Sequence, residues 1–174
     1  MRITFFLVPT NFEQPLHSGG SCIMPLLQGT SAFALASELS NVVFSYDVQP
    51  ARNAIAYHHR ATEAELQALI PNIFFRCENI LHGSRNDLFL LLSSDLIVMD
   101  TLHFPETQPF EYEVLDVLRQ NNWRGLLVLD DIHYNQEMER FWESIRVAKY
   151  DLTDVGHGSG TGVVDFGGQL NIEG

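Results

Sequence analysis

The sequence predicts an α/β protein, a single domain built on a doubly wound, mostly parallel sheet that closes with a C-terminal antiparallel hairpin. Three observations lead there. Segments of strand length such as DLIVMD (95–100) and GLLVLDD (125–131) are apolar without alternation, the pattern of strands buried on both faces. Stretches of helical period separate such strands from residue 29 onward. Two β-rich segments flank the glycine-rich run 156–160 near the end. The 174 residues, 45% hydrophobic and 18% charged, fit one folded domain over 1–174 and exclude a disordered chain.

In chain order, residues 2–8 read as a strand. Residues 11–25 carry Pro15, Pro25 and Gly19-Gly20 without a clear period, which makes 1–25 an atypical N-terminal segment. An Ala-rich helix spans 30–39, with Thr30 or Ser31 able to cap its start. The β-branched and aromatic run NVVFSYDV (41–48) is a strand that stops at Asp47. Thr62 and Glu65 form a capping box, opening a helix that ends before Pro71. A strand at 72–76 follows. Residues 86–93 read as a short buried helix, because Leu88, Phe89, Leu91 and Leu92 cover most of a turn. Strands at 95–100 and 125–131 alternate with helices at 110–120 and 135–145, in which Phe141-Trp142 reads as core beside Met138 and Ile145. Segments 150–153 and 161–166 pair as the closing hairpin.

The net charge is −12, with 22 acidic against 10 basic side chains and Lys149 as the single lysine. Most of the excess acid follows residue 87. Such a surface repels phosphate backbones, so nucleic acid is not an expected partner. No apolar run reaches the roughly 20 residues of a membrane helix. The short apolar start lacks a small-residue cleavage pattern, which argues against a secretory signal. Cys22 and Cys77 are isolated, which gives no disulfide framework and fits a reducing cytoplasm.

In open parallel sheets, ligands bind beyond the carboxyl ends of the strands. The acids that end strands are therefore the candidate chemistry: Asp47, Asp100, Asp130 and Asp131. Their segments include DTLH (100–103) and DDIH (130–133). If these strands are neighbours, three carboxylates and two imidazoles share a crevice. Asp100, Asp130 and Asp131 then suit Mg²⁺, with Mn²⁺ as an alternative. His103, three residues past Asp100, is the candidate general base. Asp at a strand end also serves as turn or cap chemistry. His133 is open between substrate contact, support and helix start, and the role of His157 is open too. Gly29, Thr30 and Ser31 open the first helix, where a glycine lets a ligand approach. Asp47, 18 residues after Gly29 and so close to the roughly 20 of a nucleoside-binding unit, is placed to accept hydrogen bonds from ribose hydroxyls. The run 156–162 lacks the Gly-Lys-Ser/Thr of a phosphate loop and reads as a hairpin turn.

GTSAFALA (29–36), SYD (45–47), DLIVMDTLH (95–103) and GLLVLDDIH (125–133) together resemble the class I S-adenosylmethionine-dependent methyltransferases. The branch they are most similar to is the metal-dependent sugar O-methyltransferases. The resemblance spans residues 26–168. It implies a Rossmann-like methyltransferase fold, S-adenosylmethionine held by Gly29, Thr30, Ser31 and Asp47, and Mg²⁺ on Asp100, Asp130 and Asp131, with His103 as base. It also implies a hydroxyl acceptor, either a small molecule or a glycan. Where that family places an acidic residue, a hydrophobic residue and a glycine ahead of Gly29, this chain has Ile23, Met24 and Pro25. Other readings of the same residues are a methyltransferase-like scaffold without catalysis and a metal-dependent hydrolase. A homo-oligomer would cover apolar surface left by the unusual first segment.

Overall fold

The computed structural model describes residues 1–7, 30–47, 64–65, 68, 70–101, 108–156 and 158–170, with the backbone alone for 2–7, 30–31 and 108–109. Its elements are β1 (Arg2–Leu7), α1 (Thr30–Ala36), β2 (Val42–Asp47), β3 (Ile73–Cys77) and α2 (Arg85–Leu92). They continue with β4 (Leu96–Met99), α3 (Gln108–Gln120), β5 (Leu126–Asp130), α4 (Gln136–Ser144), β6 (Ala148–Asp151) and β7 (Thr161–Asp165). One seven-stranded sheet runs β3-β2-β1-β4-β5-β7-β6. The first five strands are parallel, and β7 runs antiparallel between β5 and β6. The chain steps outward from β1 to β3, then crosses to β4 on the other side of β1. That reversal between β1 and β4 is the switch point of a doubly wound sheet. The expected sheet and closing hairpin are both present.

The strands alternate their side chains between two apolar layers. On one face, Ile97 and Met99 of β4 and Leu127 and Leu129 of β5 pack with Leu91, Val114, Leu115, Leu118, Met138, Phe141 and Trp142 from α2, α3 and α4. The Trp123 indole N–H donates to Ser94 O at 2.9 Å, closing the turn before β5. On the other face, Val43 and Ile73 meet Ala32 and Ala36 of α1. Helix starts are fixed by side chains. Ser84 and Asp87 form a reciprocal capping box on α2, and Asn135 accepts from the amides of Glu137 and Met138 on α4. After β7, Asp165 is buried and accepts the amides of Gly167 at 3.0 Å and Leu170 at 2.7 Å, which fastens the following turn.

One reading changes. The helix at 85–92 exists but is not buried: Phe89 is 67% exposed and Leu88 lies at the surface, while Asp87 and Leu91 face inward. Five apolar residues in succession wrap around a helix, and only one side of α2 meets the sheet. The expected strand at 2–8 is present as Arg2–Leu7 and lies beside the switch point. Ile23, Met24 and Pro25 lie outside the described residues, as do the rest of 11–25 and Thr62 of the capping box. Helical backbone is present at Ala64, Glu65 and Ala68.

Candidate active site

The strand registers place the candidate acids relative to one another. Asp47, the last residue of β2, aligns with Leu7 of β1. Phe6 of β1 aligns with Met99 of β4, and Met99 with Leu129 of β5. One step further along, Leu7, Asp100 and Asp130 fall at the same level. A single row thus crosses the switch point, with carboxylates at the ends of β2, β4 and β5. Strand spacing puts the backbones of Asp47 and Asp100 roughly 10 Å apart, with Asp130 about 5 Å beyond. Asp47 shares its alternation with Val43, on the α1 face of the sheet. It is 5% exposed, so its carboxylate is withdrawn beneath the strand ends.

The doublet Asp130-Asp131 turns sharply out of β5. Asp131 has φ 57°, in the left-handed region that Asp tolerates better than most residues. The next residues dock on the hairpin between β6 and β7. Ile132 N–H donates to Gly160 O at 3.2 Å, His133 N–H donates to Ser159 O at 2.7 Å, and the Ile132 side chain is fully buried. His133 Nε2 lies 2.8 Å from Asp151 Oδ2, and Nδ1 lies 4.0 Å from Glu139. Asp151 also accepts the side-chain and backbone donors of Thr153. Those two bonds, with the His133 contact, outweigh burial and hold the Asp151 carboxyl at about 2.

Two buried polar pairs steady the neighbouring strand ends. Tyr46 O–H donates to Asp87 Oδ1 at 2.8 Å, tying β2 to the start of α2. Burial, and then this bond, push the phenol far above its usual range. Burial acts to raise Asp87, but the donors of Ser84 and Tyr46 prevail and hold its carboxyl low. Beyond β4, Thr101 O–H donates to Glu111 of α3, both buried.

The structure therefore brings Asp47, Asp100 and Asp130 to one level and places Asp131 on the adjoining turn. Thr30 and Ser31 are the first residues of α1. Gly29, His103 and His157 lie outside the described residues. His133 pairs with the hairpin. The expected centre for Mg²⁺ or Mn²⁺ on Asp100, Asp130 and Asp131 finds no support: among the described residues no three His, Cys, Asp or Glu are placed to hold a metal ion. The left-handed turn at Asp131 breaks the line of β5 between the members of the doublet. Sequence reasoning missed Asp87, Tyr46 and Asp151. Ser84-x-x-Asp87 is itself a capping-box pattern, and Asp151-x-Thr153 is an Asx-turn pattern, so both carried a signal.

Among the described residues, no helix is long and apolar enough to cross a membrane. No family model matches the chain, and no curated protein matches it either. Among solved structures, the chain is similar to the crystal structure of a methyltransferase from Geobacter sulfurreducens, at 15% identity and a TM-score of 0.49 over 91% of this chain and 69% of that one.

Proposed function

We propose that the protein is an S-adenosylmethionine-dependent O-methyltransferase whose acceptor is a hydroxyl of a small molecule or glycan, most simply a sugar. The observation that carries this reading is the row of carboxylates at the ends of β2, β4 and β5, laid across the switch point of the sheet. The motif resemblance supplies the reaction. The withdrawn carboxylate of Asp47 fits a ribose, because it offers acceptors to two neighbouring hydroxyls. Gly29, with Thr30 and Ser31 at the start of α1, would hold the methionine part. When bound, the cofactor supplies an electrophilic methyl group on a positively charged sulfur.

Asp100 and Asp130 lie further along the row. Their carboxylates orient the acceptor through its hydroxyls and favour positive charge beside them. His103 follows Asp100 by three residues and takes the proton of the attacking hydroxyl as the new carbon–oxygen bond forms. The sulfur–carbon electron pair stays on sulfur, leaving a neutral thioether.

The test is calorimetric titration of the full chain with S-adenosylhomocysteine, repeated on Asp47→Asn. Micromolar binding that weakens about tenfold or more in the variant supports the reading, since a hydrogen bond to a charged group is worth roughly 1.5–3 kcal/mol. No binding to the unaltered chain overturns it and favours the scaffold or hydrolase readings.

A further inference from the structure

Asp131 stands in a left-handed conformation at the point where the acidic doublet leaves the sheet. Something must hold it there, because a lone Asp gains little from that region. Its carbonyl accepts the Tyr134 amide at 2.9 Å, and the two residues that follow it dock on the closing hairpin. Thr161 of β7 pairs with Asp130, so the hairpin turn lies at the same end of the sheet as the strand-end acids. Ser159 and Gly160 accept the amides of His133 and Ile132. Gly160 has φ 95°, and a Cβ there would lie 2.7 Å from both His133 Cδ2 and Ile132 Cγ1. The hairpin thus approaches the acidic turn as closely as a glycine permits. The side-chain fastening is a chain of bonds: Thr153 to Asp151 Oδ1, then Asp151 Oδ2 to His133 Nε2. The Asp151 carboxylate has both oxygens engaged, one inside its own loop and one on the acidic turn.

We propose that His133 and Asp151 are positioning residues: they clamp the turn carrying Asp130 and Asp131 to the closing hairpin and so set where those acids stand at the end of the sheet. The tautomer with the proton on Nε2 donates to Asp151, and neither side chain itself needs to touch substrate. The clamp is a statement about geometry. Its consequence for turnover rests on the methyltransferase reading above.

The experiment is amide hydrogen exchange on the full chain, read at Ile132 and His133, for the unaltered protein and for His133→Ala, Asp151→Ala and His133→Gln. Gln carries a donor on a side chain of similar reach. Both alanine variants should exchange about tenfold faster at these amides, the equivalent of one lost charge-assisted bond, and His133→Gln should restore much of the protection. Gly160→Ala, which pushes from the hairpin side, should loosen the same two amides. Affinity for S-adenosylhomocysteine should not change in the alanine variants, because Asp47 lies at the far end of the row. Unchanged exchange in both alanine variants overturns the clamp, as does a glutamine variant no better than alanine. The exchange result needs no cofactor. If the unaltered chain fails to bind S-adenosylhomocysteine, the function falls while the clamp is still decided.

Discussion

The two faces of the sheet are built differently. The face under α2, α3 and α4 is filled by large side chains, with Phe110, Trp123, Phe141 and Trp142 among its buried aromatics. The face under α1 fully buries, among the described residues, only Ala32, Ala36, Val43 and Ile73, with Phe33, Leu35, Ile70, Phe75, Leu96 and Val98 half-buried against them. Alanines bring a helix close to a sheet but bury little apolar area. Asp47, at the end of β2, belongs to this second face. Among the described residues, the first layer buries larger side chains than the second.

Mutations can break or sharpen this contrast. The largest effect should come from Phe141→Ala, which empties a fully buried position edge-on to Tyr112, with ring centroids 5.0 Å apart. It should cost about 3–5 kcal/mol in urea denaturation. Tyr46→Phe should come next, at about 2 kcal/mol, because Asp87 loses a buried donor and keeps only those of Ser84. Ile73→Val, on the α1 face, should cost only about 1 kcal/mol. A loss at Ile73 equal to that at Phe141 would erase the asymmetry.

The smallest effect concerns acid. Asp87, Asp151 and Asp165 all hold their protons less tightly in the folded chain than carboxyls ordinarily do. For Asp165, burial opposes this, and the amides of the turn at 167–170 overcome it. The folded state therefore binds fewer protons than the unfolded one in acid. The stability these groups add is complete above the usual carboxyl range near 4 and is lost as pH falls toward 2. Melting temperature should be level from pH 7 to about 5 and decline below about 4. A rise on acidification through that window would show that the three carboxylates are not stabilised as described.

Much of this architecture was legible because strands buried on both faces write themselves as uninterrupted apolar runs. Residues 96–99 and 126–129 are such runs, and the acids that follow marked Asp100 and Asp130 correctly as strand-end residues. The 88–92 segment misled for the same reason: composition alone does not say which side of a helix meets the sheet. Partnerships across the fold were not legible. Tyr46 and Asp87 are 41 residues apart, and His133 and Asp151 are 18 apart with a helix and a strand between them. Nothing local in DDIH distinguishes a histidine aimed at substrate from one fastened to a hairpin. Nor does adjacency in DDIH say whether the two carboxylates converge, because the backbone turns left-handed at Asp131.

The placement of the two tryptophans decides what a spectroscopist sees. Trp123 and Trp142 are the only indoles in the chain, and both are buried in the layer beneath α2, α3 and α4. Intrinsic fluorescence therefore watches one layer and is silent about α1 and its alanines. Circular dichroism, which averages over every helix and strand, watches both. If the two layers melt together, the two signals will trace one curve. If the α1 layer loosens first, ellipticity will fall while the emission maximum stays blue, and the interval between the two curves will measure how independent the layers are.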